Sequence, residues 1–364
     1  MSSLSETVAR LSAMRGTLQP GKGSSMLEEL TGFGSNPGAL RGWVHVPADL
    51  PPSAPLVIVL HGCTQTAAGY DHGAGWSQLA DRHGFVLLYP EQERANNPNL
   101  CFNWFGPEDM RRDAGEPLSI RQMIAAMTDR HTLDPTRVFV TGLSAGGAMS
   151  SVMLACYPEL FAGGAIIAGL PYGVARSIPQ ALERMREQGG ADAARLAGLV
   201  RAASTHTGSW PTVSVWHGDA DATVAAANAD AIVAQWRALR GLPEQPSAID
   251  MRDGYPRKVW RDHDGREVIE QIGIAGMGHG TPLSTLGADA CGHPGAHMLE
   301  VGTSSTRHIA RFWGLLKDGV DEVGVERPTR RATAEPDAPS RTKLPIDSVE
   351  QVIGKALRAA GLMR

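Results

Sequence analysis

Residues 137–150 read Arg137-Val138-Phe139-Val140-Thr141-Gly142-Leu143-Ser144-Ala145-Gly146-Gly147-Ala148-Met149-Ser150. A β-branched apolar run leads into a Gly-x-Ser-x-Gly pentapeptide, and a helix-forming stretch follows it. That order is the setting of a nucleophile elbow, a sharp strand-to-helix turn that holds a serine exposed at its tip. The two glycines have a steric reason, because such a turn brings the residues beside the serine so close to neighbouring backbone that a Cβ would clash. The helix also aims its first N–H groups at the serine, where negative charge would develop. Ser144 is therefore the first candidate for a reacting residue.

Working outward, short apolar segments alternate with helical ones. Gly42 to Val46 alternates as a strand, and Leu56-Val57-Ile58-Val59-Leu60 and Phe85-Val86-Leu87-Leu88-Tyr89 are continuous apolar runs, the mark of strands buried on both faces. Further strands are expected at Gly163 to Ala168 and at Thr212 to Trp216. Helices are expected near 75–83, 119–131, 179–187 and 192–203. Residues 255–274 read as a hairpin turning at Asp262-His263-Asp264-Gly265. The pattern implies an α/β fold with a mainly parallel central sheet and helices on both faces.

A serine needs a base, an acid to orient that base, and donors for the oxyanion. In the α/β-hydrolase fold the acid and then the histidine follow the serine in the chain, each on a loop after a later strand. After the strand ending at Trp216 stands His217-Gly218-Asp219-Ala220-Asp221-Ala222-Thr223-Val224. Asp221 fits the His-Gly-x-x-Asp-x-x-Val spacing of such acid loops, and Asp219 suits a turn-shaping role. Of the histidines that follow, His263 belongs to the hairpin turn and His308 opens a helix. His279, in Gly276-Met277-Gly278-His279-Gly280 directly after a strand, is favoured as base over His293 and His297. Ala145, and Cys63 or Thr64 in the loop His61-Gly62-Cys63-Thr64-Gln65, are the expected backbone donors of an oxyanion hole, with the Cys63 side chain not nucleophilic.

Composition narrows the class. The chain has 364 residues, 42% of them hydrophobic, and a net charge of −4, without the basic patch expected of a nucleic-acid binder. No run approaches the roughly 18 consecutive apolar residues of a membrane span, and no apolar stretch near Met1 resembles a secretory signal, so a cytoplasmic location is expected. The four cysteines show no zinc spacing. Cys156 reads as a core residue. Cys63 and Cys101 lie on loops near the candidate site; a bridge between them and two free thiols both stay open, a cytosolic setting favouring the thiols. The expected layout is an N-terminal arm over 1–38, a catalytic domain over 39–321, a linker rich in Pro, Arg and Ala over 322–345, and an amphipathic helix over 346–364. Its stripe of Val349, Val352, Ile353, Ala356 and Leu357 would dock on its own domain or on a second copy as a homodimer contact.

Several segments together resemble the polyhydroxybutyrate depolymerase family of esterases, related to the feruloyl and acetylxylan esterases of carbohydrate esterase family one. They are Pro55 to Gln65, Tyr89 to Gln92, Cys101-Phe102-Asn103-Trp104-Phe105, Gly142 to Met149, Tyr157-Pro158, Ala168 to Gly173 and Gly276 to His279, and the likeness spans about residues 40–316. The resemblance implies a carboxylic-ester hydrolase with Ser144, Asp221 and His279 as its triad, and it puts Trp104 near the acyl or leaving-group pocket; the mechanism requires neither metal nor cofactor. His61 reads as a hydrogen-bonded loop histidine rather than a proton carrier and is expected beside Trp104 at the substrate pocket. Many members of that family are secreted, which makes an extracellular location the alternative. Secreted polymer-degrading members carry a separate polymer-binding domain where this sequence has a linker and one helix, so short-chain hydroxyalkanoate esters or oligomers are the expected substrates. Feruloyl or acetyl esters of plant cell-wall fragments are the alternative, and a non-catalytic binder on a hydrolase scaffold is the reading from another class.

Overall fold

The computed structural model describes residues 27–186, 192–287 and 290–316. Ten strands form one sheet in the order β1-β2-β4-β3-β5-β6-β7-β10-β9-β8. In chain order these are β1 (Glu28–Leu30), β2 (Arg41–His45), β3 (Ala54–Leu60), β4 (Val86–Glu91), β5 (Leu133–Leu143), β6 (Gly163–Ile167), β7 (Thr212–Gly218), β8 (Ala248–Arg252), β9 (Tyr255–Arg261) and β10 (Glu267–Ile274). The six central strands from β4 to β10 run parallel, and antiparallel pairs finish both margins. This is the α/β-hydrolase architecture, as expected. A further pair, β11 (Thr281–Leu283) and β12 (Met298–Glu300), lies outside the sheet.

The apolar runs are buried because helices cover both faces. Along β3, Leu56, Ile58 and Leu60 enter one hydrophobic cluster while Val57 and Val59 enter the other, the period-2 alternation of a strand packed on two sides. The covering helices are α1 (Ala67–Ala74), α2 (Trp76–His83), α3 (Gly115–Arg130), α4 (Ala145–Cys156), α5 (Ile178–Arg186), α6 (Ala193–Arg201), α7 (Ala227–Arg240) and α8 (Ser305–Phe312). Both α1, capped by the Thr66 hydroxyl on the Gly69 N–H, and α7 went unread in the sequence.

One expected boundary moves. Glu28–Leu30, placed by sequence in the N-terminal arm, pairs with β2 as an edge strand, and Leu27 and Leu30 are buried against the domain. The expected linker and C-terminal helix lie outside the described residues.

From β3 the chain crosses to β4 on one side, and from β5 it crosses to β6 on the other. The carboxyl ends of β3 and β5 therefore flank the point where strand order reverses, where loops splay apart and open sheets of this kind bind their ligands.

Candidate active site

Ser144 sits at that point, between the end of β5 and the first residue of α4, with φ 57° and ψ −117°. Few non-glycine residues occupy this region, and holding one there costs on the order of 1–3 kcal/mol. Two restraints impose it. The Ser144 N–H donates to Ile167 O at 2.9 Å, and its carbonyl accepts the Ala148 N–H at 2.8 Å, so the turn is tied to β6 and to the helix together. A Cβ on Gly146 would stand 2.2 Å from Leu60 O, and one on Gly142 would stand 2.4 Å from the Gly146 carbonyl carbon. Only glycines let the turn close onto the end of β3.

The other two candidates meet above β7 and β10. His279 Nδ1 lies 2.7 Å from Asp221 Oδ2. Asp221 Oδ1 accepts the backbone N–H groups of Thr223 and Val224 at 2.8 and 2.9 Å. A second histidine, His217, holds its Nε2 2.9 Å from Val224 O and 3.3 Å from Asp221 Oδ2. Since a carbonyl oxygen can only accept, Nε2 carries the hydrogen and donates to both. Burial alone would raise the Asp221 pKa, but the hydrogen bonds from His217 and His279, the His279 charge and the Val224 N–H together hold it well below the usual carboxylate range. The side chain is fully buried and stays an anion against the imidazole.

The two loops that carry this pair are bound to each other. Asp219 Oδ1 accepts the Gly276 N–H at 2.6 Å, the Asp219 N–H donates to Ile274 O, and the Ala220 N–H donates to Met277 O. Asp219 thus shapes the loop, and Asp221 is the aspartate that reaches a histidine. His297 approaches the site through Nδ1, 3.1 Å from the carbonyl of His279, while His293 stacks on His72.

Two expectations for the loop after β3 need correction. The Thr64 N–H donates to Asn99 O at 2.7 Å and is not available to an oxyanion; Cys63 and Ala145 are the remaining candidate donors. His61 does not line the pocket. It is fully buried, with Nδ1 2.7 Å from Gly62 O and Nε2 accepting the Gln92 N–H at 3.1 Å, so the neutral ring is a brace beneath the loop. Burial pushes its pKa down, which fits that role. Cys63 and Cys101 are joined by a disulfide. That tie fastens the loop to segment 92–103, whose own anchor is Glu116. This buried carboxyl group accepts from Gln92 Nε2 at 2.6 Å, Asn103 Nδ2 at 2.7 Å and the Asn103 N–H at 2.8 Å.

A cavity of about 100 Å³ opens beside Ser144 and Ala145. Trp104 lines it, with Phe105 set edge-on at 5.4 Å, and so do Ile178, Ala181, Leu182 and Met185 of α5 together with Leu170 and Val224. Its lining holds no charged side chain among the described residues. The α5 wall was missed in the sequence, although Ile178, Ala181, Leu182 and Met185 recur at the i, i+3, i+4, i+7 spacing of one helical face.

The fold is that of an α/β-hydrolase with a serine on its elbow and an Asp–His pair on the loops after β7 and β10. The chain belongs to the esterase PHB depolymerase family, whose model matches residues 45–257. It is 45% identical over 292 residues to the poly(3-hydroxyalkanoate) depolymerase C of Paucimonas lemoignei, covering 80% of this chain and 70% of that protein. It is 31% identical over 274 residues to acetylxylan esterase A of Aspergillus oryzae, covering 72% and 86% respectively. Among solved structures, the acetyl xylan esterase from Aspergillus awamori superposes with a TM-score of 0.68 at 24% identity, covering 80% of this chain and 99% of that one. The protein is accordingly a carboxylic-ester hydrolase.

Proposed function

We propose that Ser144, His279 and Asp221 act as a catalytic triad on short-chain hydroxyalkanoate esters and oligomers. His279 Nε2 takes the Ser144 proton as Oγ bonds to the ester carbonyl carbon, and the N–H groups of Ala145 and Cys63 hold the oxyanion. Collapse of that adduct breaks the bond to the alcohol, which leaves with the proton from His279. Water, deprotonated by His279, then releases the acid and restores Ser144. Asp221 keeps the Nδ1 hydrogen in place, so that Nε2 faces the serine as an acceptor.

The observation that carries the substrate class is the small, uncharged, largely apolar cavity ending at Ser144. It suits a short neutral acyl group and offers no cation to an anionic one. Hydrolysis of 3-hydroxybutyrate oligomers, p-nitrophenyl acetate, p-nitrophenyl butyrate and methyl ferulate tests the reading. Oligomers and butyrate should lead, and a preference for methyl ferulate or acetate alone would overturn it. The Trp104–Phe105 pair and the acetylxylan esterase relatives favour aryl or acetyl esters as the second reading. A serine-directed phosphonate should label the wild type and not Ser144→Ala.

The Cys63–Cys101 disulfide supports the extracellular alternative for location, since cystines persist in oxidising compartments. No helix among the described residues is long and apolar enough to cross a membrane. The proposed homodimer contact through the C-terminal helix lies outside the described residues.

A further inference from the structure

Among the described residues, strand β8 is the last of the sheet and pairs with β9 alone. The two strands are joined by Asp253 and Gly254, both at positive φ (48° and 90°), the two-residue turn that closes a tight hairpin. Across it Arg252 faces Tyr255, Asp250 faces Arg257 and Ala248 faces Val259. In such a hairpin the closing pair exchanges both hydrogen bonds and every second pair repeats the exchange. The N–H and C=O groups of Ile249 and Met251 therefore point away from β9, off the open edge. These two residues also carry exposed apolar side chains, 64% and 60% accessible. Unused backbone and uncovered apolar surface thus coincide on one short strand, a combination that soluble proteins normally avoid at sheet margins.

We propose that this edge is a dimerisation surface, on which two copies pair antiparallel through Ala248–Arg252 about a twofold axis at Asp250. Apart from Asp250, which faces its own copy at the axis, the sequence of the strand is complementary to itself in that register. Ile249 of each copy faces Met251 of the other, so both outward-pointing residues gain mutual hydrogen bonds and an apolar partner. On the opposite face Arg252 lies diagonal to Asp250 of the second copy. The two Asp250 carboxylates meet at the axis, each already 3.1 Å from Arg257 and 3.6 Å from Arg252 of its own chain. An unrelated extended peptide could use the same edge, but nothing would require it to match both apolar residues and the charge pattern. The catalytic candidates stand on loops after β5, β7 and β10, so pairing at β8 leaves their site open.

Sedimentation of the full chain across a wide concentration range should show a monomer–dimer equilibrium, and Met251→Lys should abolish the dimer while ester hydrolysis is retained. Cysteine pairing reads the register directly. Residues facing each other at a non-hydrogen-bonded position lie about 4.5 Å apart at Cα, inside the roughly 4.4–6.8 Å span of a disulfide. Asp250→Cys should therefore form a covalent dimer on mild oxidation. Ile249→Cys should not, because the two copies of residue 249 lie beyond about 7 Å. A wild-type chain that stays monomeric, a dimer that survives Met251→Lys, or cross-linking by Ile249→Cys as complete as by Asp250→Cys would each overturn the proposal.

Discussion

Replacing Asp221 by asparagine changes charge and hydrogen-bond polarity at almost constant volume. Each carboxylate oxygen is occupied: Oδ1 by the backbone N–H groups of Thr223 and Val224, Oδ2 by His279 and, at longer range, His217. An amide has one accepting end and one donating end. The backbone donors cannot turn away, so the amide oxygen must stay with them and its NH₂ must face His279 Nδ1. Nδ1 then accepts, the ring hydrogen moves to Nε2, and the base presents a donor to Ser144 where it needs a lone pair. In other triads this swap costs about 10⁴ in kcat, or about 5.5 kcal/mol at 1.36 kcal/mol per decade. The same loss is expected in kcat for p-nitrophenyl butyrate, with KM little changed. Asp219→Asn, which weakens only the hydrogen bond to the Gly276 N–H, should lose far less. A loss under tenfold for Asp221→Asn in protein shown to be folded, or a larger loss for Asp219→Asn, would refute the assignment. Because the Asp221 pKa is depressed in the fold, its ionised form contributes stability above the ordinary carboxylate range that disappears as pH falls through it. The acid limb of the stability curve should be shallower in Asp221→Asn.

Three other perturbations follow from the same geometry. Ser144→Gly should abolish hydrolysis yet raise unfolding stability in denaturant titrations by about 1–3 kcal/mol, the strain released when a positive-φ residue loses its Cβ; destabilisation would contradict a strained elbow. Breaking the Cys63–Cys101 bridge with the double Cys→Ala variant opens a loop of sequence separation 38, which on the chain-entropy model costs about 4 kcal/mol. kcat should fall with it, because Cys63 carries a proposed oxyanion donor, and unchanged kcat would argue against that role. Burial, aided by the Asp109 charge, pushes the Glu116 carboxyl up to about 8 against the hydrogen bonds it accepts from Asn103 and Gln92. With the folded pKa raised, its contribution to stability is complete below the ordinary glutamate range and is lost as pH rises through about 8, at about 1.36 kcal/mol per unit. Glu116→Gln cannot ionise but places an NH₂ among N–H donors. It should be the less stable protein at pH 5, and its deficit should shrink towards pH 8 when unfolding midpoints are compared.

What the sequence disclosed follows the range of the forces involved. The elbow was legible because its cause is local: Gly142 and Gly146 admit a contact that no other residue allows, and both flank Ser144 in the chain. Asp221 and His279 were legible because parallel strand order fixes which later loops can reach a serine on β5. His61 is hydrogen-bonded in its loop as its setting suggests, but its place away from the pocket, and the loss of the Thr64 donor, could not be read because their atoms are claimed by Gln92 and Asn99, partners about thirty residues away on a segment without regular structure. Nothing in His61-Gly62-Cys63-Thr64 tells which N–H is already bonded. His217 was noticed only as part of a spacing, since its donation to Asp221 depends on how the loop folds back through Val224. The strand β8 went unread for a different reason. Its five residues, Ala248-Ile249-Asp250-Met251-Arg252, alternate as a strand should, but the residues that look like a buried face are the exposed ones.

The three loops of the site are held by different means, and this sets which changes each one tolerates. The elbow is held sterically, so small additions at Gly142 or Gly146 must displace backbone. The acid and base loops are held by hydrogen bonds to each other, through Asp219, Ala220 and their partners on 274–277, beside the Asp221–His279 contact. The loop of Cys63 is held from outside the sheet by a disulfide and by segment 92–103 anchored on Glu116. That same segment supplies Asn97, Asn99 and Cys101 to one wall of the cavity, with Trp104 and Phe105 directly after it. Selection for a different acyl group by changing that wall therefore also moves a proposed oxyanion donor. Ile178, Leu182 and Met185 of the α5 wall lie outside that segment, so exchanges there should change substrate preference at the least cost in kcat.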